Sequence, residues 1–168
     1  NLLAAMSLAK SFATMALMQR AENKIKVRQP LQKLSIKHKG KKPPYWDEIK
    51  SILADEINVK EVLLDATMTQ NDPPVKLDLN ITLELKEEGI LRDLTRQIQD
   101  VRKKEGRKPN EMLTFYMGTN ISGRNFIVKY AKEFKKSINA KSIIVRAVLE
   151  GGYDVKVGEL VFFIKSEK

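Results

Sequence analysis

The sequence contains no cysteine and a single histidine, His38. The first absence excludes disulfides, a thiol nucleophile, iron–sulfur clusters and thiolate zinc sites, and the second excludes a two-histidine metal site within one chain. No hydrophobic run is long and clean enough to suggest a membrane span. The apolar opening, residues 1–18, is broken by Lys10, has no basic segment before it and no small-residue cleavage site after it, so it reads as a packed helix. A phosphate-binding loop is missing too, because Gly118-Thr-Asn-Ile-Ser-Gly123 lacks the Gly-Lys-Ser/Thr ending. His38 has no acid near it in sequence to orient it in a Ser-His-Asp relay and reads as a surface-loop residue. Glu84, Glu87 and Glu88 open a predicted helix, where they answer the dipole better than they make an acid–base pair. No catalytic constellation emerges.

What is present is positive charge. In 168 residues, 42% of them hydrophobic and 31% charged, there is enough apolar surface for one or two folded domains, and the net charge is +10. That charge is uneven. Residues 23–46 hold eight cations and no acid, residues 47–88 hold eleven acids against four cations, and residues 89–109 return to seven cations against three acids. Two basic blocks flanking an acidic segment point to a localised electrostatic footprint.

Hydrophobic spacing predicts a first helix over residues 2–22, with Leu3, Met6, Ala9, Phe12, Ala13, Ala16 and Leu17 inward. The chain opens on Asn within this pattern and is expected to be part of a longer polypeptide, whose upstream neighbours would help to cover this helix. Basic extended chain follows to Lys37, interrupted by Pro30, and then a loop closed by Pro43-Pro44. A helix is predicted over 45–56 and strands over 59–65 and 75–81. The longest helix, about 83–105, should start at Thr82 and stop at Gly106. The last third reads as a strand over 112–117, a helix over 123–138, and strands near 142–149 and 153–165 joined by a Gly151-Gly152 hairpin. No internal repeat is evident, and the irregular interleaving of helices and strands predicts an α+β fold, a mixed sheet with packed helices.

On the long helix Arg92, Arg96, Gln99 and Lys103 recur at steps of four, three and four, with Arg102 and Lys104 thickening its C-terminal end. In the early block, Lys24, Lys26, Arg28, Gln29, Lys33 and Lys37 precede Tyr45 and Trp46, which either stack on a ligand or plug a core. A polyanion such as RNA suits both blocks, since counterion release drives its binding to Lys and Arg. The competing reading is solvated helix faces, dipole compensation and internal ion pairs.

The residues themselves discriminate. Arg20-Ala-Glu-Asn-Lys-Ile-Lys-Val-Arg-Gln-Pro-Leu31 resembles the segment that closes the helical anticodon-binding bundle of isoleucyl-tRNA synthetases. Asp55-Glu-Ile-Asn-Val-Lys-Glu-Val62 is similar to a second motif of that family, and the stretch from Thr82 to Lys104 looks like its long C-terminal helix. The resemblance spans about residues 20–108. It implies a C-terminal tRNA-binding piece of an ATP- and magnesium-dependent cytoplasmic ligase, with residues 1–29 as the last helix of a truncated anticodon-binding bundle and residues 30–168 as a C-terminal α+β domain. The family's His-Ile-Gly-His and Lys-Met-Ser-Lys-Ser motifs are absent, so the piece is expected to be inactive alone and to hold no cofactor. The implied partners are the tRNA for isoleucine and the missing catalytic and bundle domains, with no membrane partner. The positions carried over by the motifs are Lys26, Arg28, Gln29, Arg92, Arg96, Gln99, Arg102, Lys103 and Lys104; the role of residues 110–168 is left open. A structural coupling module that packs on the catalytic body without touching RNA bases is the alternative.

Overall fold

A computed structural model describes residues 2–167 and divides the chain into two units, the first up to Gly89 and the second from Ile90. The fold is α+β. In the first unit α1 (Leu2–Glu22) precedes β1 (Leu31–Lys37), α2 (Trp46–Ile57), β2 (Val59–Asp65) and the short β3 (Val75–Leu77). β1 is central, parallel to β2 and antiparallel to β3, with Leu34 opposite Val62 on one side and Leu77 on the other. The helical crossover α2 is what a parallel β1–β2 pair requires. Its Ile49, Leu53 and Ile57 close over Leu34, Ile36, Val62 and Val75.

Residues 1–29 share this unit with the residues that follow, because α1 contributes Ala9, Ala13 and Ala16 to the same core. The buried line on α1 is this row of small residues, continued by Arg20, whereas Leu3 and Met6, expected inward, are 74% and 55% exposed. Trp46 is buried in the core and Tyr45 is exposed beside it, which settles the aromatic pair in favour of packing for Trp46. β3 stops short of the predicted 75–81 because the Asp78 carboxylate accepts the Asn80 N–H at 3.0 Å, a local turn that competes with strand pairing.

Helix α3 (Leu83–Lys104) crosses the division between the units. Thr82 Oγ1 accepts the Leu85 N–H at 3.3 Å, as the cap predicted from sequence would. At the other end Gly106 takes φ +67, its N–H donates to Lys103 O, and the Arg107 N–H donates to Arg102 O, the double bond of a Schellman stop.

In the second unit the apolar stripe of α3 (Leu91, Leu94, Ile98, Val101) packs in one core with β4 (Leu113–Thr119), α4 (Ile121–Lys129), α5 (Ala131–Ser137), β5 (Ala140–Arg146), β6 (Tyr153–Val157) and β7 (Leu160–Glu167). The strand order is β5-β4-β7-β6, with β4 parallel to β5 and antiparallel to β7. The helix predicted over 123–138 starts earlier, since Asn120 Oδ1 caps the Gly123 N–H at 2.9 Å, and it is divided at Tyr130, whose φ −106 and ψ 15 leave the helical range. Gly151-Gly152 is not the hairpin. β5 pairs only with β4, and the hairpin lies between β6 and β7, where Gly158 takes φ +59 in the two-residue loop between the partners Val157 and Leu160.

Both units therefore run helix, strand, helical crossover and parallel strand, and set an antiparallel strand on the other side of the first, β3 in one unit and β7, after the intervening β6, in the other. This repeated order was not evident from the sequence.

Candidate nucleic-acid interface

The sequence-predicted cations divide sharply by surroundings. Arg102, two residues from the end of α3, is 1% exposed. Its guanidinium donates to the carbonyls of Lys108, Glu111, Ile138 and Asn139, tying the chain after the helix to the turn before β5. It also lies over the Phe115 ring at 5.1 Å. Burial holds its pKa below the ordinary arginine value, yet an arginine stays charged, and four carbonyl dipoles replace the lost water. Arg102 is thus a structural tie and leaves the RNA-contact set. Arg20 does the same work in the first unit, donating to the carbonyls of Lys26, Gln29 and Asn58 at 2.9–3.1 Å.

Gln29 also proves structural. Its amide donates to Leu85 O at 2.6 Å and Pro30 O at 3.0 Å, pinning the strand entry to the first turn of α3. A Cβ on Gly89 would stand 2.5 Å from Gln29 Oε1, so this Gly is matched to that amide. Lys37 Nζ donates to Asp72 O at 2.6 Å. Lys33 lines an open hollow of about 550 Å³ with three carboxylates, those of Asp65, Asp72 and Asp78. Hydrogen bonds from Thr67 hold the Asp65 pKa below its ordinary value, and bonds from Thr69 do so for Asp72, so these acids stay ionised next to the lysines. With two lysines, Lys33 and Lys76, against three aspartates, this hollow offers a polyanion little.

The remaining candidates lie at the surface. Lys24, two residues beyond α1, adopts φ 54 and is exposed, as are Lys26 and Arg28. On α3, Arg92 and Lys103 are exposed and Gln99 is half-buried, while exposed Arg96 is paired to Asp100 at 3.1 Å and Lys104 sits over the Tyr153 ring at 5.4 Å. Among the described residues Lys24 and Lys103 have no carboxylate within ion-pair reach. Each basic block thus contributes surface cations as well as residues committed to the fold. His38 is engaged through Nε2 with Lys41 O at 2.8 Å, in keeping with a loop role. Sequence reasoning passed over a further set of cations on α4 and α5, for which no motif gave a signal; their density in residues 121–141, six against one acid, was the available clue.

Among the described residues, no helix is long and apolar enough to cross a membrane. No family model matches the chain. It is 33% identical over 92 residues to the isoleucine–tRNA ligase of Clostridium acetobutylicum, a match that takes in 54% of this chain and 9% of that much longer protein. The similarity points to a region related to aminoacyl-tRNA synthetases.

Proposed function

We propose that this chain is a tRNA-binding region, at or near the anticodon-binding part, of a cytoplasmic isoleucine–tRNA ligase, and that it is not catalytic by itself. The observation that carries the reading is the 33% identity to an isoleucine–tRNA ligase, in a chain with only one histidine and hence no His-Ile-Gly-His motif. ATP and magnesium belong, on this reading, to the catalytic body of the parent ligase, and this region serves by holding the tRNA for isoleucine. Surface cations such as Lys24, Lys26, Arg28, Arg92 and Lys103 anchor phosphates, while discrimination among bases falls to polar and aromatic groups.

A gel shift with the isoleucine tRNA and a mismatched tRNA, at two salt concentrations, tests it. The expected result is binding that favours the isoleucine tRNA and weakens steeply with salt. Indifference to both RNAs supports the second reading, a coupling module docked on the rest of the ligase. That reading is favoured by the apolar side chains of Leu3, Met6, Leu8 and Met18 on α1 and Ile52 on α2, all of them exposed.

A further inference from the structure

We infer that the outer surface of α4 and α5, together with the adjoining face of α3, is a binding site for the phosphate backbone of RNA; this site rests on the tRNA-binding reading and gives it a location in the second unit. Helices α4 and α5 carry Arg124, Lys129, Lys132, Lys135 and Lys136 against the single acid Glu133, and Lys141 follows at the start of β5. All six cations are exposed. Among the described residues, Arg124, Lys132, Lys135, Lys136 and Lys141 have no carboxylate within ion-pair reach.

Three features separate this cluster from an ordinary solvated face. The first is its counterpart in the other unit. Helix α2 holds the same place between parallel strands, buries Ile49, Leu53 and Ile57 much as α4 and α5 bury Phe126, Ile127 and Phe134, and yet carries four acids against one lysine. The fold asks only for the apolar residues at this station, so its positive sign in the second unit has no structural origin.

The second is position along the helices. Lys135 and Lys136 close α5, where the dipole favours cations, but Arg124 is the fourth residue of α4, near an end where helix physics favours acids. An external anion there is met by the Arg124 side chain.

The third is continuity. Thr95 of α3 and Ser137 of α5 are hydrogen-bonded at 3.2 Å, and Arg92 and Gln99 share the face of α3 that holds Thr95. The row expected on α3 from sequence and the α5 lysines are thus neighbours within one unit. The contact is to the backbone and not to bases, because the aromatic rings here are engaged with one another. Phe126 is buried against Tyr130 with ring centroids 5.0 Å apart, and Lys129 stands over Tyr130 at 5.3 Å.

The test is salt-dependent tRNA binding by the full 168-residue chain and by the triple variant Lys132→Glu, Lys135→Glu, Lys136→Glu, with Lys10→Glu plus Lys86→Glu, exposed positions outside both basic blocks, as a charge control in the first unit. The triple variant should bind about tenfold or more weakly at low salt, and the slope of log affinity against log salt should shrink by about 2 to 3, because each lysine neutralises one phosphate. The control should be affected far less. Should the triple variant melt below the unaltered chain, the alanine version at the same three positions decides by the same slope criterion. Unchanged binding by the variant overturns the site and leaves the tRNA reading standing, as does an equal weakening in the control. Failure of the unaltered chain to bind tRNA overturns both. Vesicles of anionic lipid form the last arm, and a triple variant that no longer binds vesicles but keeps tRNA shows that the surface serves a membrane instead.

Discussion

Arg102 occupies in the second unit the station that Arg20 holds in the first. Each lies two residues before the end of its helix, donates to the carbonyls six and nine residues on, and reaches across to the turn that precedes the parallel strand. That turn holds Asn58 in one unit and Asn139 in the other, both with positive φ, and each side-chain amide donates back to the chain after the helix, to Val27 O and Asn110 O. The tie makes the helix end, the strand entry and the crossover exit one object. Replacing Arg102 by Lys keeps the charge but not the fork, leaving buried carbonyls without donors. The expected cost is about 2 to 4 kcal/mol, measured by urea denaturation, with tRNA affinity per folded molecule unchanged. A smaller cost, below about 0.5 kcal/mol, would mean that water replaces the guanidinium.

Gly89 and Gln29 provide a sharper test of packing. Mid-helix Gly→Ala ordinarily gains about 1 kcal/mol, but here the new Cβ meets an amide held by two hydrogen bonds. Gly89→Ala should therefore destabilise the chain by about 1 to 2 kcal/mol, and the same change should become neutral or stabilising in a Gln29→Ala background. A double-mutant cycle by thermal melting reads the coupling; additivity of the two changes would refute the clash.

Much of the fold was legible in the sequence where the causes are local. The bounds of α1 and α3, the Thr82 cap and the Gly106 stop follow from spacing and capping chemistry within one or two turns. What was not legible depends on distant partners. Arg102 looks like one more cation in Arg-Lys-Lys, and only the carbonyls of Ile138 and Asn139, 36 and 37 residues away, reveal it as buried. The repeated order of elements is hidden for the same reason: the two stretches share Arg20 with Arg102 and Leu31 with Leu113, while the side chains between follow different surfaces. Gly151-Gly152 and Gly158-Glu159 both satisfy turn chemistry, and strand pairing alone puts the hairpin at the second.

The hollow on the first sheet has a pH dependence whose sign is fixed by Asp65 and Asp72. Hydrogen bonds from Thr67 and Thr69 depress both carboxyls, so the stabilisation that they contribute is present above the ordinary aspartate range and is lost as pH falls through their lowered values in the fold. Acid should loosen the loop between β2 and β3. In NMR titrations Thr67→Val should raise the Asp65 midpoint toward that of an ordinary aspartate while the Asp72 midpoint stays put. Equal movement of both would point to a shared charge effect instead of the individual hydroxyl bonds.

Two of the exposed cations on α3, Arg96 and Lys103, differ in what they already hold. Arg96 is engaged with Asp100 one turn on, a surface pair worth about 0 to 1 kcal/mol, whereas Lys103 has no carboxylate partner among the described residues. An RNA phosphate must compete with Asp100 for Arg96 but not for Lys103. Lys103→Glu should therefore weaken tRNA binding at low salt more than Arg96→Glu does, with melting temperatures nearly unchanged in both. Asp100→Ala should in turn strengthen binding by freeing Arg96. Gel shifts of the three variants at one salt concentration check the order, and an Arg96→Glu effect larger than that of Lys103→Glu, with Asp100→Ala inert, would mean that the pair itself, and not free charge, is what the RNA meets.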